Sequence, residues 1–249
     1  MMILAFQNLN RSNMATAAFL VVVGLFCFDS VAGAKVQCDL HDSDCVTKVS
    51  KVIFPEFVNG IPGVEPSDPL RQELIVADLP TIKYTIKNGA LSGFKKCGVE
   101  LIRFSKDLTY EYNIKCPLVT IEGEYEIKGN IGKNYIEGKG TFKADHYDYH
   151  FLLHGNYEIM KRDGKTYVRF TTHTLNLDVK GKVVYNLRNL FNGDKQKSDA
   201  AHKMMNENWK EVDQTLRQPA MEAFIKVFKK NLNEYTKIKA VEDVLNYDE

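Results

Sequence analysis

The stretch Leu118-Val119-Thr120-Ile121-Glu122-Gly123-Glu124-Tyr125-Glu126-Ile127-Lys128 puts Val119, Ile121, Tyr125 and Ile127 on one face of a strand and Thr120, Glu122, Glu124, Glu126 and Lys128 on the other. Strict alternation describes a strand that is wet on one side and dry on the other. Similar patterning runs almost unbroken from Ile82 to Leu190, with strands expected at about 73–79, 82–88, 93–104, 108–116, 117–129, 134–144, 147–161, 165–178 and 182–187. Asp163-Gly164 reads as a type I′ hairpin turn between two of them. Gly138, Gly140 and Gly155 interrupt strands, where glycine often marks a bulge or sharp curvature.

The dry face of so large a sheet needs a partner, and the last quarter of the chain supplies it. From Ser198 the apolar period becomes helical: Met205, Trp209, Val212 and Leu216 form one stripe. Met221, Phe224, Ile225, Phe228, Leu232 and Tyr235 continue it, and Pro219 is expected to kink or restart the helix. A shorter helix is expected around Val46, Val49 and Ile53, capped by Ser43 or Asp44 and ended by Asn59-Gly60. The expected fold class is therefore α+β: a curved antiparallel sheet around a long C-terminal helix.

Residues 1–34 read as a secretory signal peptide, with an apolar run from Ala15 to Phe28 after Arg11 and an Ala32-Gly33-Ala34 cleavage site. The run is shorter than the roughly 20 residues a bilayer core needs, and Asp29 interrupts it. Residues 35–249 then form one domain, expected to be secreted, extracellular and monomeric, without integral membrane association. Net charge is +1 and no basic stripe occurs, so nucleic acid is not an expected partner.

Of the five cysteines, Cys27 lies in the signal, and an even number in an oxidising compartment suggests two disulfides. If Lys106-Asp107 is a two-residue hairpin turn, Cys97 faces Cys116, Val99 faces Ile114, Leu101 faces Tyr112 and Arg103 faces Tyr110. That register aligns apolar faces and cysteines together. Cys38–Cys45 with Cys97–Cys116 is accordingly favoured over the two other connectivities.

Signs of catalysis or metal binding are weak. His146, His150 and His154 sit on a strand, where successive members lie roughly 13 Å apart and cannot share a zinc ion; they are expected on the solvent face. Asp39, Asp42 and Asp44 lack the glycine and terminal glutamate of a calcium loop. No nucleophile elbow, phosphate loop or dinucleotide fingerprint occurs. No enzyme activity, metal or cofactor is expected. Tyr110, Tyr112, Tyr125, Tyr147, Tyr149, Phe151 and Tyr157 fall on the inward parity of their strands, which suits either a packed core or a cavity for an elongated apolar ligand with a few polar handles.

These features have an order and spacing that resembles the insect takeout and juvenile-hormone-binding family. The marks are the Cys38…Cys45 loop, Asn59-Gly60-Ile61-Pro62-Gly63 with Asp68-Pro69-Leu70, Ile121-Glu122-Gly123-Glu124-Tyr125, Tyr185-Asn186-Leu187, Asn189-Leu190-Phe191-Asn192-Gly193-Asp194 and Asn206-Glu207-Asn208-Trp209. The resemblance implies a super-roll related to the lipid-transfer domains called TULIP, a tunnel for a lipophilic ligand, no catalysis, and a gate over the pocket at residues 45–58. Juvenile-hormone carriers place a second disulfide between a late strand and the C-terminal helix, whereas this chain has no cysteine after Cys116. They also use a strand tyrosine as a polar contact, and His154 falls near that position.

The expected function is that of a secreted carrier for a small lipophilic molecule such as a juvenile-hormone-like terpenoid or fatty acid derivative; the rival is a filled-core interaction module. Residues expected to line the tunnel are Ile53 from the gate, Val99, Leu101, Tyr110, Tyr112, Ile121, Tyr125 and Phe151 from the sheet, and Met205, Trp209 and Phe224 from the helix.

Overall fold

The alternating segment around Ile121 belongs to a strand far longer than its own pattern. The computed structural model describes residues 35–248; the proposed signal segment lies outside them. In chain order these residues form β1 (Lys35–Gln37), α1 (Ser43–Asn59), β2 (Leu70–Asp78), β3 (Ile82–Ser92), β4 (Gly98–Phe104), β5 (Thr109–Ile131), β6 (Asn134–Arg162), β7 (Lys165–Phe170), β8 (Thr174–Val179), β9 (Val183–Leu187), α2 (Lys195–Glu207), α3 (Trp209–Ile238), α4 (Val241–Val244) and β10 (Asn246–Asp248). Short 3₁₀ turns at Phe94–Lys96 and Phe191–Gly193 lie between.

β5 pairs antiparallel with β6 along the whole length of β5, from Thr109↔Asn156 to Ile131↔Asn134. Each was expected as two strands. Along its free side β5 pairs first with β4 and then with β3, while β6 pairs in turn with β9, β8 and β7. Two long ribbons with different neighbours at their two ends give a strongly curved sheet, which wraps α3 against β2, β5, β7 and β9. The Asp163-Gly164 turn has both φ values positive, 52° and 76°, as type I′ requires.

The long strands join where both change face. Along β5 the buried positions are Tyr110, Tyr112, Ile114 and Cys116, then Val119, Ile121, Tyr125, Ile127 and Ile131. Along β6 they are Ile136, Ala144 and His146, then Tyr149, Phe151, Leu153 and Tyr157. Pro117, which has no N–H to give the ladder, stands opposite Asp148, whose φ is 50°. One residue in left-handed conformation beside a proline turns both strands over. His146 is therefore buried, 2% exposed, and Tyr147 faces solvent at 38%; the solvent-face expectation for His146 and the inward one for Tyr147 are both corrected.

The β4–β5 hairpin differs in the same way. Its loop has three residues, Lys106-Asp107-Leu108: Ser105 N–H donates to Thr109 O at 2.8 Å, and Leu108 adopts φ 64°. Ile102 thereby faces Tyr112 and Phe104 faces Tyr110, in place of Leu101 and Arg103. A bulge between Val99 and Leu101 then restores Val99↔Ile114. Cys97 and Cys116 are bonded, with Cα atoms 4.2 Å apart, and Cys38 is bonded to Cys45 at 5.7 Å.

Two helix boundaries also move. α1 is capped by Asp42, whose Oδ1 accepts from the N–H groups of Asp44 and Cys45, and not by Ser43 or Asp44. The long C-terminal helix breaks at Asn208, and α3 continues past Pro219 without restarting there. The Asn208 side chain donates to Met204 O at 2.9 Å, a local bond that competes with regular helix. Beside the proline, the carbonyl of Leu216 accepts from the Tyr84 hydroxyl at 2.6 Å, which ties this part of α3 to β3. The interrupting glycines are not bulges either: a Cβ at Gly140 would collide with Arg188 O and one at Gly155 with Thr172 O, so they admit crossing backbone.

Candidate ligand-binding cavities

One cavity of about 100 Å³ lies under α1, where β4, β5 and β7 meet the C-terminal end of α3. Its lining is almost wholly apolar or aromatic, with Ile53, Phe57, Ile102, Phe104, Tyr112 and Phe170 prominent. The Tyr110 hydroxyl donates to Thr172 O at 3.1 Å, which turns its polar end outward; burial pushes its pKa up to about 12.

α1 closes this cavity and is pinned by polar contacts. Thr47 Oγ1 accepts from Ile102 N at 2.9 Å and donates to Ile102 O at 3.2 Å. Further along, Glu56 Oε1 accepts from the Tyr235 hydroxyl and from Lys239 Nζ, both at 2.9 Å. Lys239 is the main influence holding the Glu56 carboxyl below its ordinary range. Cys38–Cys45 ties the start of the helix to the preceding segment.

A second cavity, about 80 Å³, lies against α2 and the first half of α3. Ile86, Ile121, Tyr125, Phe142, Met205 and Leu216 supply apolar wall, but His146, Asp213 and Arg217 also reach it. Arg217 Nη1 donates to Asp213 Oδ2 at 2.8 Å, and His146 Nε2 stands 3.7 Å from Asp213 Oδ1. Burial pushes the His146 pKa down to about 4, so the ring is neutral at pH 7. Burial raises the Asp213 carboxyl, with Arg217 acting against the rise.

Between the cavities runs a partition of rings. Tyr235, Phe57, Phe228, Phe94, Phe151, Tyr149 and His146 follow one another with centroid separations of 5.6, 5.2, 5.4, 5.3, 5.2 and 5.0 Å. Such edge and tilted contacts suit aromatic quadrupoles and fill the middle of the interior. Among the described residues no cluster of His, Cys, Asp and Glu is placed to hold a metal ion, and no helix is long and apolar enough to cross a membrane.

A sequence profile described as haemolymph juvenile hormone binding protein matches residues 18–246. The chain belongs to that family. It superposes on the crystal structure of Epiphyas postvittana Takeout 1 with a TM-score of 0.78 and 32% identity, over 82% of this chain and 96% of the other. It is also similar to the circadian clock-controlled protein daywake of Drosophila melanogaster, at 26% identity over 77% of this chain and 79% of that protein. The same-named protein of Drosophila yakuba is 22% identical over 78% and 80%. The takeout and juvenile-hormone-binding family consists of binding proteins for small lipophilic ligands rather than enzymes.

Within this family fold, the residues expected to line one tunnel are divided. Ile53, Tyr110 and Tyr112 reach the cavity under α1; Ile121, Tyr125 and Met205 reach the other. Phe151 and Phe224 are fully buried packing residues, with Phe151 in the ring partition. Val99 is buried outside both cavities, and Leu101 is turned aside by the three-residue hairpin. Trp209 is half-buried at the start of α3 and lines neither. His154 is exposed on the outer face. The residues not anticipated are Ile102, Phe104, Phe170, His146, Asp213 and Arg217. Asp213 had a legible signal, since it continues the Met205, Trp209 stripe by four residues and has Arg217 four further on.

Proposed function

We propose that this protein is a secreted carrier whose residues 35–249 sequester one small lipophilic molecule, a terpenoid, fatty acid derivative or similar, between the sheet and α3. The observation that carries this reading is the apolar cavity beneath α1, a helix tethered by Cys38–Cys45 and held by a few polar contacts at its ends. Ile53, Tyr110 and Tyr112 would meet the ligand there, and Ile121, Tyr125 and Met205 deeper in. Two disulfides in a small domain suit an oxidising extracellular fluid. A ligand of about 300 Å² apolar area gains roughly 7 kcal/mol from leaving water, before ordering costs.

Each cavity is smaller than the roughly 300–1,000 Å³ usual for drug-sized ligands. Loading therefore requires α1 and nearby rings to move outward. The same small volumes favour the rival reading, an interaction module with a filled core. Titration with N-phenyl-1-naphthylamine, an apolar fluorophore, separates the two. A carrier shows a saturable, one-to-one emission gain that terpenoids or fatty acids compete away; a filled core shows none.

A further inference from the structure

Four buried side-chain polar atoms have no hydrogen-bond partner among the described residues: Asn113 Oδ1, His146 Nδ1, Tyr149 Oη and Asp213 Oδ1. Three of the four belong to one cluster: His146 and Asp213 line the cavity against α3, and Tyr149, not itself in that lining, packs on His146. His146 and Tyr149 are edge to face at 5.0 Å, and His146 Nε2 is 3.7 Å from Asp213 Oδ1. Each residue is at most 2% exposed. Leaving buried polar atoms unpaired is costly, so a cluster of three at an apolar void marks a place where a polar group is missing.

The unmet valences define that group. Asp213 Oδ1 needs a donor, because Arg217 is engaged with Oδ2. Tyr149 Oη has a proton to give, and His146 Nδ1 can donate or accept according to tautomer. An ester, ketone or epoxide only accepts, which leaves Asp213 Oδ1 unmatched. A carboxylate also only accepts, and it brings a second negative charge against Asp213. An ammonium only donates, beside the Arg217 cation. A hydroxyl both donates and accepts, and carries no charge.

We propose that this cavity seats the hydroxyl of a lipophilic alcohol, which donates to Asp213 and accepts from Tyr149 or His146 while its hydrocarbon body lies against Ile121, Met205 and Leu216. The assignment rests on the carrier reading above and narrows its ligand class. Neutral terpenoid or long-chain alcohols are preferred over the matching acids and esters.

The test is competition against N-phenyl-1-naphthylamine by 1-dodecanol, dodecanoate, methyl dodecanoate and dodecane, on the full folded protein. 1-Dodecanol is expected to compete at about tenfold lower concentration than methyl dodecanoate, the worth of one hydrogen bond to a buried partner. Asp213→Asn keeps the side-chain shape and can accept from Arg217 while presenting N–H to the cavity, so the alcohol advantage should vanish or reverse toward the ester. Tyr149→Phe, which removes only a hydroxyl, should reduce that advantage while leaving dodecane unchanged. Equal competition by alcohol and ester, or an alcohol advantage that survives both substitutions, overturns the proposal and leaves the carrier reading standing; the cluster would then hold only water. A protein that does not bind the fluorophore or any of the four overturns the carrier reading itself.

Discussion

The two ends of the interior are built from similar sheet and helix surface but differ in what they leave unsatisfied. Under α1 the Tyr110 and Tyr235 hydroxyls are bonded away from the cavity, to Thr172 O and Glu56, while Tyr112 and Ser50 stay in a mostly apolar lining. Against the first half of α3, polar atoms of His146 and Asp213 are held inside without partners. A dry cavity under a pinned helix can admit many apolar shapes at little cost in specificity. A cavity with fixed polar demands selects by chemistry. The partition of rings keeps the two environments apart, so one ligand can span them only if Phe228 and its neighbours give way.

The largest expected effect comes from breaking that partition. Phe228, 1% exposed, packs against Phe57, Phe94 and Tyr112. Phe228→Ala should cost about 3–5 kcal/mol in chemical denaturation and should also increase the length of alkyl chain the protein accepts. A loss under about 1 kcal/mol would mean that the rings pack loosely and separate nothing.

The next effect belongs to the polar end alone. His146 has an ordinary pKa of 6.5 and a folded value of about 4, lowered by burial. Its contribution is fully present above pH 6.5 and is lost as pH falls through 4, because the unfolded chain then binds a proton that the fold does not. The depression corresponds to about 3 kcal/mol across that window. His146→Gln should flatten this part of the stability–pH curve. Asp213, whose pKa burial raises, acts in the opposite sense as pH falls, so the comparison is between wild type and the single variant. An identical pH dependence in both would place His146 in contact with water.

The smallest effect concerns the α1 end. Glu56→Gln weakens the contacts to Tyr235 and Lys239 at a half-exposed site, worth less than about 1 kcal/mol. Stability should hardly change, while stopped-flow release of N-phenyl-1-naphthylamine should quicken by up to about fivefold. Unchanged release would argue that the ligand enters elsewhere.

The fold was legible because its main signal is periodic. Val119 to Ile127 alternate cleanly, and the apolar stripe from Met205 to Tyr235 keeps helical spacing, so curved sheet around helix followed from pattern alone. Half of the site was not legible, and the causes are single residues. Leu108 in left-handed conformation lengthens a turn by one residue and exchanges Leu101 for Ile102 and Phe104. Asp148 opposite Pro117 turns β6 over and buries His146. A parity argument carries no information past a residue that resets parity, and a non-glycine residue at positive φ gives little warning of itself. Pro219 does not restart the helix, because α3 continues through it from Trp209 to Ile238 and the proline removes a single N–H from the ladder.

The measurement that bears most directly on the central claim is native mass spectrometry of the mature protein purified from its natural source, with organic extraction of the same sample. The carrier account predicts one reproducible lipophilic molecule at close to one per chain, released on denaturation. A protein that arrives empty, and stays empty after incubation with terpenoids, long-chain alcohols and fatty acids, would contradict it.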